Sequence, residues 1–188
     1  GYSEQTEQAL LRKIGWPSNG YRLFEISCWS GANPNGFFHP FMECNCLFMS
    51  ADLFRDIGRA DERFNLPGGG ALNLYLYRKA ATHQRSQCFI LAGEGSFHQL
   101  HGGVTTSEIE GREQLLQEVS AQLSLLLGYT FTAPTIEPVI LGRMRGPMLP
   151  YLIASAEKGM SRYARFGGRL EQIYTDDFAK AKSAPKEQ

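Results

Sequence analysis

The chain has 188 residues, 19 Lys plus Arg against 19 Asp plus Glu, and a 43% hydrophobic share with 12% aromatics. That is enough apolar material for one buried core, and the balanced charge supplies neither a basic field for a nucleic-acid backbone nor an acidic run. The longest apolar run, Leu123 to Tyr129, falls far short of the roughly 20 residues a membrane helix needs, and Gly1 to Trp16 is too polar for a secretory leader, so the composition implies a soluble, cytoplasmic protein without a membrane span.

In chain order, Tyr2 to Ile14 places Ala9, Leu10 and Ile14 on one side behind a polar first turn, which predicts a short amphipathic helix that Trp16-Pro17 stops. Tyr21, Leu23 and Ile26 alternate with polar neighbours, as a strand does. Gly31 to Pro40 is rich in Gly, Pro and Asn and reads as an irregular loop carrying exposed aromatics. "CNCLFMS" has the length of a buried strand, and Ser50 is placed to cap a helix that Gly58 ends.

Asp61 to Asn65 reads as a polar loop, and Gly68, Gly69 and Gly70 lead into "ALNLYLYRKAATH", a predicted helix despite leucines of period two that favour a strand. "QCFILAG" is the clearest strand. Ser107 and Glu110 form a capping-box signal for a long helix closed by Gly128. Beyond it, Pro134, Pro138, Pro147 and Pro150 mark a connecting segment with one short strand at "EPVILG". A further helix over Leu149 to Gly167 and a frayed tail from Lys180 complete the chain.

Cys28, Cys44, Cys46 and Cys88 show no zinc-site spacing, and the C-x-C pair is too close for an ordinary disulfide, so they read as small buried hydrophobes in a reducing compartment. The triple glycine lacks the Lys-Ser/Thr of a phosphate loop and does not spell a dinucleotide fingerprint, which leaves a plain turn. Glu94, His98 and His101 cluster between a strand and a helix. The two histidines are spaced to bind a divalent metal or to act on a phosphate leaving group, or simply to hydrogen-bond local backbone. Trp29, Phe37 and Phe41 suit a sugar platform and core packing equally, and Arg143, Arg145, Arg162, Arg165 and Arg169 resemble a solvated helix face.

Residues 45–106 resemble the second half of an inverting family 2 glycosyltransferase of the GT-A fold. "NCLFMSADLFRDIG" stands for the family's strand and helix, "IGRADERF" for its acidic G-G-F-D-E-R-F loop, and "QCFILAGEGSFHQLHGG" for its later strand and H-x-G-G loop. The resemblance implies an α/β fold, a partial GT-A-like mixed sheet with flanking helices over 1–130 and a helical extension over 131–188. It also implies single displacement on a nucleotide sugar held with Mn or Mg, while a carboxylate deprotonates the acceptor hydroxyl.

His101 and His98 match the metal- and diphosphate-side histidine, and Asp61 and Glu62 match the acceptor-facing loop. Glu43 and Asn45 with Glu62, Gly69 and Gly70 fall where substrate would lie. The family's E-D base pair falls on Gly69 and Gly70, which cannot accept a proton, and the D-x-D nucleotide-binding half would precede residue 1. Glu94, with Asp61 behind it, is the remaining candidate base.

The expected function is therefore a glycosyltransferase-related domain that binds a nucleotide sugar and a carbohydrate acceptor, incomplete for catalysis alone. The alternatives are a non-catalytic module that binds carbohydrate or protein, and a structural domain that docks on a separate chain. A half-fold leaves a sheet edge exposed, so self-association or a missing N-terminal partner is expected.

Overall fold

A computed structural model describes residues 3–30, 33, 35–99 and 111–165 of the chain. Helix α1 (Glu4–Lys13) starts where Ser3 Oγ accepts the Thr6 backbone N–H at 3.2 Å, with Glu4 and Glu7 at its positive end and Arg12 and Lys13 at its negative end. It closes ahead of the Trp16-Pro17 bond, a cis peptide: Gly15 is left-handed at φ 70°, its N–H donates to the Arg12 carbonyl at 3.0 Å, and the Trp16 N–H donates to the Leu11 carbonyl at 3.0 Å.

The predicted strand after it is a 3-10 helix over Gly20–Glu25. Asn19 accepts the Tyr21 N–H through its side chain, and Phe24 is the residue that turns inward. The local cap and a deep apolar anchor at Phe24 outweigh the alternation of Tyr21, Leu23 and Ile26. "CNCLFMS" is not a strand either: it runs irregularly, with Phe48 86% exposed. A strand needs a partner ladder, and none is beside it among the described residues.

Ser50 caps α2 (Ala51–Asp56) by accepting the Leu53 N–H at 3.1 Å. The triple glycine then opens α3 (Leu72–Ala81), where the helical reading holds against period two. Tyr75, Tyr77 and Ala80 are buried, and Leu72 and Leu74 pack half-buried beside the cluster of Phe64, Ala71, Tyr75 and Leu123. A helix with apolar residues on adjoining faces can insert this way between two neighbours. Each buried large side chain contributes roughly 1.5–3 kcal/mol of transfer free energy.

Strands β1 (Phe89–Ala92) and β2 (Val139–Gly142) form a parallel two-stranded sheet with Phe89 opposite Val139 and Ala92 opposite Gly142. The connection between them contains α4 (Arg112–Leu127), closed by Gly128 in the left-handed region at φ 76°. The proposed Ser107–Glu110 capping box and the Lys180–Gln188 tail lie outside the described residues. The chain is thus a mixed α/β structure with a small parallel sheet.

α5 (Leu149–Arg165) lies against the short helical turn Gly36–Phe38. A Cβ on Gly36 would come within 2.8 Å of Ser155 Oγ, and one on Gly159 within 2.7 Å of the Phe38 Cβ, so small residues on both sides permit the approach. Phe24, Phe37 and Met148 form the core there, bordered by Trp29 and Tyr151. The loop aromatics are packing residues: Trp29 meets Phe37 edge-on at 5.2 Å and Tyr151 at 5.5 Å.

Arg162 corrects the reading of the late arginines as one solvated face, being only 2% exposed. Its Nη1 lies 2.6 Å from His39 Nε2. A guanidinium only donates, so Nε2 accepts and the His39 proton sits on Nδ1.

Candidate functional site

The first turn of α3 gathers side chains from two distant parts of the sequence. Asn73 Nδ2 donates to Glu43 Oε2 and, at 3.2 Å, to Asn45 Oδ1. The segment that delivers Glu43 is itself braced. Asn33 Nδ2 donates to the Glu43 carbonyl at 3.0 Å, and Asn33 Oδ1 accepts the Met42 N–H at 3.0 Å. Glu43 is half-buried, and this burial raises its carboxyl above the ordinary range, partly offset by the Asn73 hydrogen bond.

Directly ahead of Asn73 lie Gly68, Gly69 and Gly70, at φ 72°, 81° and 56°. Three successive left-handed residues are accessible to glycine and costly for any other side chain, so the turn requires this composition. From behind, α4 contributes Gln122, whose Nε2 donates to the Arg63 carbonyl at 3.0 Å and to Asn65 Oδ1 at 3.1 Å. The glycine turn therefore sits between a braced acidic loop and the Glu43, Asn45 and Asn73 cluster.

Asp61 is already engaged. Arg63 Nη2 donates to its Oδ2 at 2.6 Å and Arg63 Nε to its Oδ1 at 2.9 Å, while the Arg63 backbone N–H adds a third bond at 3.1 Å. These contacts hold its carboxyl down to about 2, which makes it a weak proton acceptor and a firm structural clasp. Glu62, next to it, is exposed.

Glu94 lies elsewhere, just past the end of β1, where Tyr21 Oη donates to its Oε1 at 2.9 Å. His98 is exposed on the same loop, and His101 lies outside the described residues. Among the described residues, no group of three or more His, Cys, Asp or Glu is placed to hold a metal ion.

The structure thus joins Glu43 and Asn45 to the helix start that follows Gly69 and Gly70, and puts Glu94 with Tyr21 instead. The hub of the first group, Asn73, is not among the candidate site residues that the sequence singles out. Its signal is an amide three positions after a glycine turn, at the open end of a helix.

Cys44 and Cys88 are half-buried near Tyr77. Burial pushes both thiols and the Tyr77 phenol up. Cys28 and Cys46 are exposed, against the expectation that all four are buried, and all four cysteines are free.

Comparison with family models, with curated proteins and with solved structures gives no match. No helix among the described residues is long and apolar enough to cross a membrane.

Proposed function

We propose that this chain is a glycosyltransferase-related domain, the acceptor-side half of a GT-A-like fold, and that it holds a carbohydrate hydroxyl at Glu43, Asn45 and Asn73. The observation that carries the reading is the bond from Asn73 to Glu43, which sets a carboxyl group at the helix start behind Gly69 and Gly70. In the family it resembles, the acidic pair falls on those two glycines. A carboxyl group delivered from Glu43 supplies the missing chemistry from another segment.

The chemistry follows from the geometry. Asn73 fixes one carboxylate oxygen and leaves the second to accept the proton of a bound hydroxyl. Partial burial strengthens Glu43 as a base relative to an exposed glutamate. When the acceptor oxygen attacks the anomeric carbon of an activated sugar, its proton passes to Glu43 and the nucleoside diphosphate departs with the bonding electrons. The donor and the divalent cation implied by the resemblance belong to this proposal.

A second reading, a carbohydrate-binding module without turnover, uses the same three residues and is favoured by the absence of any carboxylate on the glycine turn itself. Calorimetry separates the two. Binding of nucleotide sugars that needs Mn²⁺ and is lost in His101→Ala supports a transferase-derived site, whereas metal-independent binding of free glycans lost in Asn73→Ala supports the module. Silence with both panels overturns both and leaves a protein-docking domain.

A further inference from the structure

The carboxyl ends of β1 and β2 bring together two loops whose charged residues have no role in the site above. In parallel α/β sheets, this end of the strands is where ligands are held. Just past β1 stands Glu94, and shortly past β2 stands Arg145. Both reach the same side chain: Tyr21 Oη donates to Glu94 Oε1 at 2.9 Å, and the Arg145 guanidinium lies over the Tyr21 ring at 3.9 Å from its centroid.

Opposite charges that share one tyrosine would ordinarily close on each other. Here they do not, since none of the ion pairs among the described residues joins Arg145 to Glu94. Arg145 is exposed and held over the Tyr21 ring by its cation–π contact, and a guanidinium so held keeps N–H donors for a ligand. Glu94 has one oxygen committed to Tyr21 and keeps acceptor capacity on the other.

The backbones of both arms are pinned to the core. Gly93, at φ 91°, passes so close that a Cβ there would lie 2.1 Å from the Arg143 carbonyl oxygen. Reciprocally, a Cβ on Gly142 would lie 2.3 Å from the Ala92 carbonyl oxygen. Gly95 rides on the Phe24 ring, and Phe97 meets that ring edge-on at 4.8 Å. On the other arm, Met148 is buried three residues beyond Arg145.

We propose that Arg145, Tyr21 and Glu94 form a second binding site, for a sugar that carries a carboxylate or a phosphate. The charges dictate this class. An anion alone would meet Arg145 but be repelled by Glu94, and a neutral polyol would leave the guanidinium fork unused. A ligand with an acidic group for the fork and hydroxyl donors for the Glu94 carboxylate satisfies both. The site stands apart from Asn73 and does not depend on the reading given for Glu43.

Calorimetry on the whole chain with glucuronate, glucose 6-phosphate, glucose and inorganic phosphate tests it. The expected result is that one or both acidic sugars bind at least tenfold more tightly than glucose or inorganic phosphate. Glucuronate alone assigns a carboxylate ligand, and glucose 6-phosphate alone a phosphate ligand.

Arg145→Ala is expected to weaken the binding at least tenfold and Glu94→Ala severalfold, with Arg55→Ala, an exposed arginine on α2, without effect. Arg145→Lys, which keeps the charge and loses the planar fork, should recover only part of the affinity. The proposal is overturned if no acidic sugar binds, if inorganic phosphate binds as tightly as the sugars, or if Arg145→Ala changes nothing while its melting temperature matches the parent chain.

Discussion

Asn73 and Glu43 stand 30 positions apart in sequence and meet through one hydrogen bond, amide to carboxylate, at the first turn of α3. Removing the donor leaves a half-buried carboxyl without its only side-chain partner from the helix. Asn73→Ala is therefore expected to cost about 1 kcal/mol in urea unfolding and to abolish any hydroxyl-ligand binding at this site. Asn73→Asp should abolish it as well and cost more stability than Asn73→Ala, because it sets a second carboxylate against Glu43. Unchanged binding in both variants would remove Asn73 from the site.

The pH dependence of stability reports the state of Glu43. Its folded carboxyl sits above the ordinary value of 4.5, so the unfolded chain gives up this proton first. The native state consequently loses stability as pH rises from about 4.5 through the folded value, and keeps it below. Glu43→Gln has no proton to lose in either state. Melting temperatures followed from about pH 4 to pH 8 should show the variant gaining on the parent as pH rises, then a constant gap. A gap already constant from pH 4 would contradict the assignment.

Thiol labelling should split the cysteines into two pairs. Cys28 and Cys46 are exposed, whereas burial raises the thiols of Cys44 and Cys88. The thiolate is the reactive form, so Cys28 and Cys46 should react with an aromatic disulfide at least about tenfold faster near pH 8. Mass spectrometry of the partly labelled chain reads this directly. Tyr77→Phe, which deletes the hydroxyl that acts on Cys88, should alter the rate at Cys88 and leave Cys28 as it was.

Gly93→Ala and Gly142→Ala should each destabilise the chain by at least about 2 kcal/mol, because a positive φ is combined with a Cβ pressed onto a carbonyl oxygen. Gly69→Ala meets no atom within 4 Å and should cost only the backbone strain of its φ of 81°. The ordering of the three variants in chemical denaturation is the test.

Local signals in the sequence were faithful wherever the cause of the structure was local. Ser50 caps the helix it precedes, Gly128 closes α4, and "QCFILAG" and "EPVILG" both contain strands. The two missed segments share one lack. Neither the alternation over Tyr21 to Ile26 nor the strand length of Cys44 to Ser50 makes a strand without a neighbouring ladder to accept it, and among the described residues neither has one; over the first the Asn19 cap and the Phe24 anchor favour a 3-10 helix instead.

Sites were legible to the extent that they are contiguous. Glu43 and Asn45 are two residues apart and were read together. Asn73 joins them only through the folding of α3, and Arg145 comes to share Tyr21 with Glu94 only because β2 lies beside β1. A buried arginine such as Arg162 shows the same limit, since nothing in its neighbours in sequence announces His39.

The paired glycines at the ends of the strands bear on how the sheet finds its alignment. A parallel pair of four-residue strands has few hydrogen bonds with which to reject a neighbouring register. Slipping β2 by one position would carry Leu141 or Arg143 to the place where Gly142 now passes the Ala92 carbonyl, and neither side chain fits there. Gly142 and Gly93 thus act as a key and its slot, and the same fit that selects the register decides which residues follow the two strands on the side where Glu94 and Arg145 stand.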